Sequence, residues 1–96
     1  MLKAVEILNV IPYSITCKFN TGEVRKIDMK EIISNSKAYV DKEKLMNIEF
    51  FKKVSIGEFG ELQWSNAAFM RDENNEWIKC EFDLSPEFVY QHSVVV

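Results

Sequence analysis

Histidine is nearly missing from this chain: among 96 residues, His92 is the only one. Nucleophilic catalysis of the common kind needs a base beside the nucleophile. One imidazole, followed only by Ser93-Val94-Val95-Val96, supplies little from which to build such a pair. His92 reads instead as a helix-end residue set against the last carbonyls. Glycine is also scarce. Gly22, Gly57 and Gly60 all fall in predicted turns, so no glycine-rich phosphate loop exists. Cys17 and Cys80 lie far apart in strand-like segments and match no zinc or redox spacing. Two readings stand for them: buried free thiols in a reducing compartment, or one disulfide in an exported protein. No apolar run approaches the roughly 18 to 20 residues of a membrane helix. The opening MLKAVEILNV lacks a charged region ahead of a long hydrophobic stretch and a small-residue cleavage site. These absences predict a cytoplasmic protein with no membrane contact, no cofactor and no metal.

A basic surplus is lacking too. Twelve Lys and Arg against fifteen Asp and Glu give a formal net charge of -3. Nucleic-acid binding through phosphate neutralisation needs a concentrated basic face. Here that face could be assembled only from separate elements, through Lys3, Lys18, Arg25, Lys26, Lys52 and Lys53. Nucleic acid is therefore a disfavoured partner.

What the chain does have is core material. Apolar residues make up 47% and charged residues 28%, the usage of an ordered globular domain and not of a disordered chain. Length and pattern predict one domain over 1–96: a strand and hairpin in 1–28, short helices in 29–53, hairpins in 54–83, and a helix over 84–93. The expected fold is α+β, a mostly antiparallel sheet built from hairpins with two to four short helices packed on it.

YSITCKF sets Tyr13, Ile15, Cys17 and Phe19 on one face of a strand, against Ser14, Thr16 and Lys18. NTG then closes a three-residue hairpin, with Gly22 in the left-handed position. In the returning EVRKID, Val24 and Ile27 point to opposite faces, which calls for a bulge or for cover on both sides. KAVEILNVI reads as a strand that Pro12 ends. Four helix starts share one device. Asp28 with Glu31 makes a D-x-x-E capping box inside the staple of Ile27 and Ile32. Asp41 lies between Val40 and Leu45, Asn47 between Met46 and Phe51, and Ser85 between Leu84 and Val89. Pro86 suits the first helical position and Glu87 the positive end of the dipole. Helices this short hold only by docking on the sheet. KKVSI, the GEFG turn and ELQWS form one hairpin; AAFMR, DENNE and WIKCEF form another. In the latter, Ile78, Cys80 and Phe82 should face the core and Trp77 the outside, with Met70 opposite it.

Fifteen acids give many carboxylate pairs, but acid–base work requires two converging in one cleft with unequal environments. DENNEW lacks the glycine and distal glutamate of a calcium loop and reads as a turn. Aromatic residues are the best candidates for contact. Phe59, at the tip of the glycine turn, either folds back or touches a partner, and Trp77 lies on an outer face. Trp64 belongs to the core. The apolar SVVV tail reads either as an edge strand for a second subunit or as a disordered end.

The order FNTGEVRKID, LMNIEFFKKV, LQWSN and DLSPEFVY resembles a small bacterial family, "domain of unknown function 2442". Its members carry F-x-x-G-E-x-R-x-x-D, then L-x-D/N-x-x-x-F-x-x-V, a tryptophan strand, and a closing D-L-x-P-E-x-L-Y. The likeness spans most of the chain and departs once: AAFMRDENNEWIKCEF follows Asn66, either as an extra hairpin or with the alignment moved to Trp77. The resemblance implies a compact cytoplasmic α+β domain with no catalytic residues to carry over. Members are suspected components of toxin–antitoxin-like gene pairs, which makes a protein the natural ligand. The expectation is a non-enzymatic protein-interaction module that binds another small protein or itself as a homodimer, through residues such as Phe59 and Trp77. The alternatives are a nucleic-acid-binding regulator and a small ligand-binding protein or enzyme with a pocket at Cys17, Cys80 or His92.

Overall fold

A computed structural model describes residues 1–96. The fold is α+β with antiparallel strands throughout, divided between two sheets. The four-stranded sheet runs in the order β1 (Ala4–Ile11), β2 (Ser14–Phe19), β3 (Val24–Asp28), β7 (Ser93–Val95). The three-stranded sheet runs β4 (Ser55–Ile56), β5 (Leu62–Arg71), β6 (Trp77–Leu84). Helices α1 (Lys30–Ser34), α2 (Lys42–Leu45) and α3 (Ile48–Phe51) connect the sheets, and α4 (Pro86–Gln91) leads into β7.

In β2 the alternation acts as expected, and Ile15, Cys17 and Phe19 are fully buried. The Phe19 N–H donates to the Glu23 carbonyl and the Gly22 N–H to the Phe19 carbonyl, closing the three-residue turn. Gly22 has φ 92°, where a Cβ would be strained. No bulge interrupts β2 and β3. The mixed parity of β3 is met instead by partial cover of Val24 and Arg25 on both faces. The bulges lie in β1, where register shifts fall between Ala4 and Glu6 and between Ile7 and Asn9. They turn Val5, Leu8 and Ile11 outward, at every third position.

Three of the four helix starts are built as the sequence predicts. Asp41 accepts from the Lys44 N–H, Asn47 from the Phe50 N–H, and Ser85 from the Phe88 N–H. The first is displaced by one residue. Met29 occupies the cap position without a side-chain bond, and Asp28 accepts from the Lys30 N–H in a tight turn. The side chain of Met29 is fully buried, so core packing moves the start past the acid best suited to it. Glu31 makes no return bond to a cap N–H. Asp41→Ala, Asn47→Ala and Ser85→Ala are each expected to cost about 1 kcal/mol, and Asp28→Ala less; denaturant midpoints of the four variants check the order.

Each helix delivers a fully buried side chain to one core: Ile33, Leu45, Phe51 and Val89. Trp64 sits among them, its indole N–H donating to the Phe51 carbonyl at 2.9 Å. The second half differs from expectation in its number of strands. ELQWS and AAFMR are one continuous strand, bent where Asn66 adopts φ 57°. Trp64 stands opposite Phe82 and Ala68 opposite Cys80, so the register shifts between them. The bend receives the chain before α2: the Asp41 N–H donates to the Ala67 carbonyl and the Phe69 N–H to the Tyr39 carbonyl, both at 2.8 Å. At Gly60, φ is 80°, and an added Cβ would meet Lys3, the residue before β1.

The tail is neither disordered nor reserved for a second subunit. Ser93, Val94 and Val95 pair with Ile27, Lys26 and Arg25 of the same chain. Arg25 pins them, donating from Nε to Ser93 Oγ at 2.8 Å and from Nη2 to the Ser93 carbonyl at 2.9 Å. Its guanidinium lies 4.1 Å from the ring centroid of Tyr90.

Candidate functional site

Beyond Met70 the β5–β6 hairpin stands clear of the helices. From Met70 to Lys79 every residue except Asp72 is exposed. Along the core-facing row of β6, cover fades from Leu84 (buried) through Phe82 and Cys80 (half-buried) to Ile78, which is 42% exposed. The expectation that Ile78, Cys80 and Phe82 all face the core is therefore met in direction but not in depth. Cys80 is a half-buried free thiol, while Cys17 is fully buried and free. Burial pushes the Cys17 thiol up, against the opposing pull of Arg25.

Where the row emerges, a groove of about 510 Å³ opens between α1, the 35–40 connection, β6 and α4. Ile32, Tyr39, Phe82 and Phe88 form its apolar walls, with Glu31 and Lys37 at its polar margin. His92 closes one side. As the C-cap of α4 it stacks on Phe88 with ring centroids 3.9 Å apart, and its Nδ1 lies 2.9 Å from the Phe88 carbonyl oxygen. That oxygen can only accept, so a neutral ring carries its proton on Nδ1 and leaves Nε2 as an acceptor. No hydrogen bond joins His92 to a serine or cysteine. The Ser36 hydroxyl in the same groove donates to the Ile33 carbonyl.

Phe59 and Trp77 are both exposed, at 61% and 58%. The fold does not bring them together. Phe59 precedes the first residue of β5 and Trp77 is paired with its last, so the length of the strand, roughly 30 Å at ~3.3 Å per residue, separates them. The residue opposite Trp77 is Arg71, whose guanidinium lies 4.5 Å from the indole centroid; Met70 stands opposite Ile78. At the tip, Asp72 accepts from the N–H groups of Asn74 and Glu76, which makes DENNE a turn. No group of three or more potential metal-ligating His, Cys, Asp or Glu side chains occurs.

Three of the basic residues named from the sequence have acidic company or are already engaged. Arg25 is held by Glu23, Ser93 and Tyr90. Lys18 stands opposite Glu6 on the outer side of β2, and Lys53 shares a shallow depression with Lys44, Lys79, Asp41, Glu43 and Glu49. No helix is long and apolar enough to cross a membrane.

Two carboxylates titrate abnormally, in opposite senses. The Tyr90 hydroxyl, with Thr21 and Arg25, holds Glu23 below its ordinary value, against the effect of its burial. Burial, then Glu61 and Glu81, push Asp83 up. Glu23 thus contributes stability that is present above about pH 4.3 and lost as pH falls through its folded value. Asp83 does the reverse: its protonated form favours the fold at low pH, and that contribution is lost as pH rises through its raised value. Glu23→Gln is expected to flatten the acid loss of stability and Asp83→Asn to raise stability near neutrality. Denaturant midpoints from about pH 3 to about 7 check both.

Local pattern identified Phe59, Trp77 and His92 individually. The groove itself escaped it, because its walls come from segments near 31–40 and 82–92 that only the tertiary fold joins. No protein-family model, curated protein or solved structure matches the chain.

Proposed function

We propose that this chain is a non-enzymatic protein-interaction module that binds another small protein, as one member of a toxin–antitoxin-like pair. The observation that carries this reading is the apolar row that runs out of the groove, from half-buried Phe88 and Phe82 beside exposed Tyr39 to exposed Ile78 and Met70 along the projecting hairpin. An apolar strip with a polar margin is how one protein surface meets another. The use of His92 as a helix cap stacked on Phe88 favours contact over proton transfer. The ordered motifs from FNTGEVRKID to DLSPEFVY add support through the family they resemble.

Size-exclusion chromatography with light scattering, on the chain alone and with the product of the adjacent gene, tests the reading. Co-migration is expected, together with its loss in Tyr39→Asp and Phe88→Asp. Separate elution of the two proteins, or a complex that both substitutions leave intact, would sink it.

A small-ligand site is the second reading, favoured by the groove volume and by the free Nε2 of His92. It predicts that a bound small molecule broadens the His92 ring resonances and those of Tyr39 together.

A further inference from the structure

A strand edge offers unpaired N–H and C=O groups to other chains unless it is short, bulged, charged or covered. This fold has four edges. β7 and β4 are only three and two residues long. β1 is eight residues long, but two register shifts break it. β6 is also eight residues long, contains no proline, and has its irregularity on the β5 side alone. Its only strand partner is β5. It does carry charge, at Lys79, Glu81 and Asp83, which guards the edge against most chains and leaves it open to one of complementary sign.

The direction of each backbone group on β6 follows from β5. The Phe69 N–H bonds the Tyr39 carbonyl, and the Ala67 carbonyl accepts from Asp41, both on the side away from β6. Alternation turns the N–H and C=O of Ala68 toward β6, and those of Cys80, opposite it, toward β5. Trp77, Lys79, Glu81 and Asp83 therefore present their backbone groups outward.

We propose that β6 is a self-association strand, pairing antiparallel with β6 of a second copy about a two-fold axis at Cys80 and joining two three-stranded sheets into one of six. This rests on the strand edge and is independent of the partner proposed above. The side chains select both the occupant and the register. With the axis at Cys80, Lys79 of each copy faces Glu81 of the other, and Ile78 lies beside Phe82. The half-covered apolar row thereby gains a neighbour. Of the other registers, an axis at Ile78 opposes no like charges but sets Lys79 against Trp77, forgoes both Lys79–Glu81 pairs and runs into the 72–76 turn; those centred from Lys79 to Asp83 set like charges opposite one another, which is unfavourable. An axis at Lys79 opposes two lysines, one at Glu81 opposes two glutamates, and one at Phe82 sets Glu81 against Asp83. The two Cys80 residues fall at a position without hydrogen bonds between them, where opposed Cα atoms lie about 4.5 Å apart. A disulfide can span that distance.

Sedimentation equilibrium across a concentration series, with far-ultraviolet circular dichroism to confirm folding, tests the pairing. The chain is expected to dimerise, Glu81→Lys to weaken association roughly tenfold or more through two reversed pairs, and Lys79→Glu/Glu81→Lys to recover it. Lys79→Glu alone provides the same loss if Glu81→Lys fails to fold. Diamide, which accepts the two electrons and two protons of the thiols, is expected to cross-link the dimer. Cys80→Ser abolishes the cross-link without abolishing dimerisation, and Cys17→Ser changes neither. A chain that stays monomeric to millimolar concentration overturns the proposal, as does a dimer indifferent to the charge reversals or one that Cys80 does not cross-link.

Discussion

Trp64→Ala is expected to leave most of the chain unfolded at room temperature. Trp64 is fully buried, and its ring centroid lies 5.7 Å from those of both Phe51 and Phe82. It joins α3 to β5 and β6, so its loss opens the core at the point where helices and sheet meet. Truncating a buried tryptophan costs about 3–5 kcal/mol. The Phe51 carbonyl loses its donor as well, a further ~1–3 kcal/mol if water does not reach it. Domains have in total only about 5–15 kcal/mol of stability. Trp64→Phe keeps a ring in the site and loses the donor, so it should remain folded with a lowered midpoint. Urea denaturation followed by circular dichroism separates the two. Equal stability of both variants would show that the hydrogen bond, and not the ring, dominates.

Arg25→Ala is the second large effect, and it should be local. Arg25 lies on the core-facing row of β3 opposite Cys17, with a side chain 13% exposed. One guanidinium serves Ser93 twice, Glu23 once and the Tyr90 ring. Hydrogen bonds from a charged group contribute about 1.5–3 kcal/mol each, and partial exposure and non-additivity bring the expected total to about 3 kcal/mol. The loss should concentrate in α4 and β7, because Ser93 and Tyr90 belong to that segment. Native-state hydrogen exchange is expected to show protection falling at Ser93–Val95 well before it falls in β2. Arg25→Lys should restore little, since an ammonium cannot reproduce the planar fork. Uniform loss of protection across the chain would mean that the tail and the hairpins unfold as one unit.

The features legible in the sequence are those whose causes are local. Alternation in β2, the glycine of its hairpin, and the caps at Asp41, Asn47 and Ser85 each depend on residues within one turn or one pair of strands. Most of the misread features answer to distant partners. Asp28 had the right chemistry for a cap, but the demand of the core for Met29 moved the helix start. The valine tail reads locally as an edge strand for a second subunit or as a disordered end, because its partner strand lies 68 residues away, through Arg25 and Ser93. The bulges that turn Val5, Leu8 and Ile11 outward leave no glycine or proline within β1. One misread feature is local: parity alone pairs Met70 with Trp77, but the bonds Asp72 accepts in the DENNE turn set the hairpin register and put Arg71 there. For the candidate site, the exposure of Trp77 was readable from parity, while the glycine turn left Phe59 free either to fold back or to stand out. Their separation, and the groove between α1, β6 and α4, required the fold.

Short length at β4 and β7 and two register shifts in β1 leave β6 as the one long, regular edge of the fold, and on the pairing proposed above a second copy docks there. Amide hydrogen exchange along β6, read residue by residue as concentration rises, tests that claim most directly. In dilute solution Ile78, Cys80 and Phe82 should be protected by β5 while Lys79, Glu81 and Asp83 exchange freely. At high concentration the outward amides of Lys79 and Glu81 should become protected while those of β1 do not change. Equal protection at alternate residues in dilute solution, or outward amides that exchange freely at every concentration, would contradict an open and adhesive β6 edge.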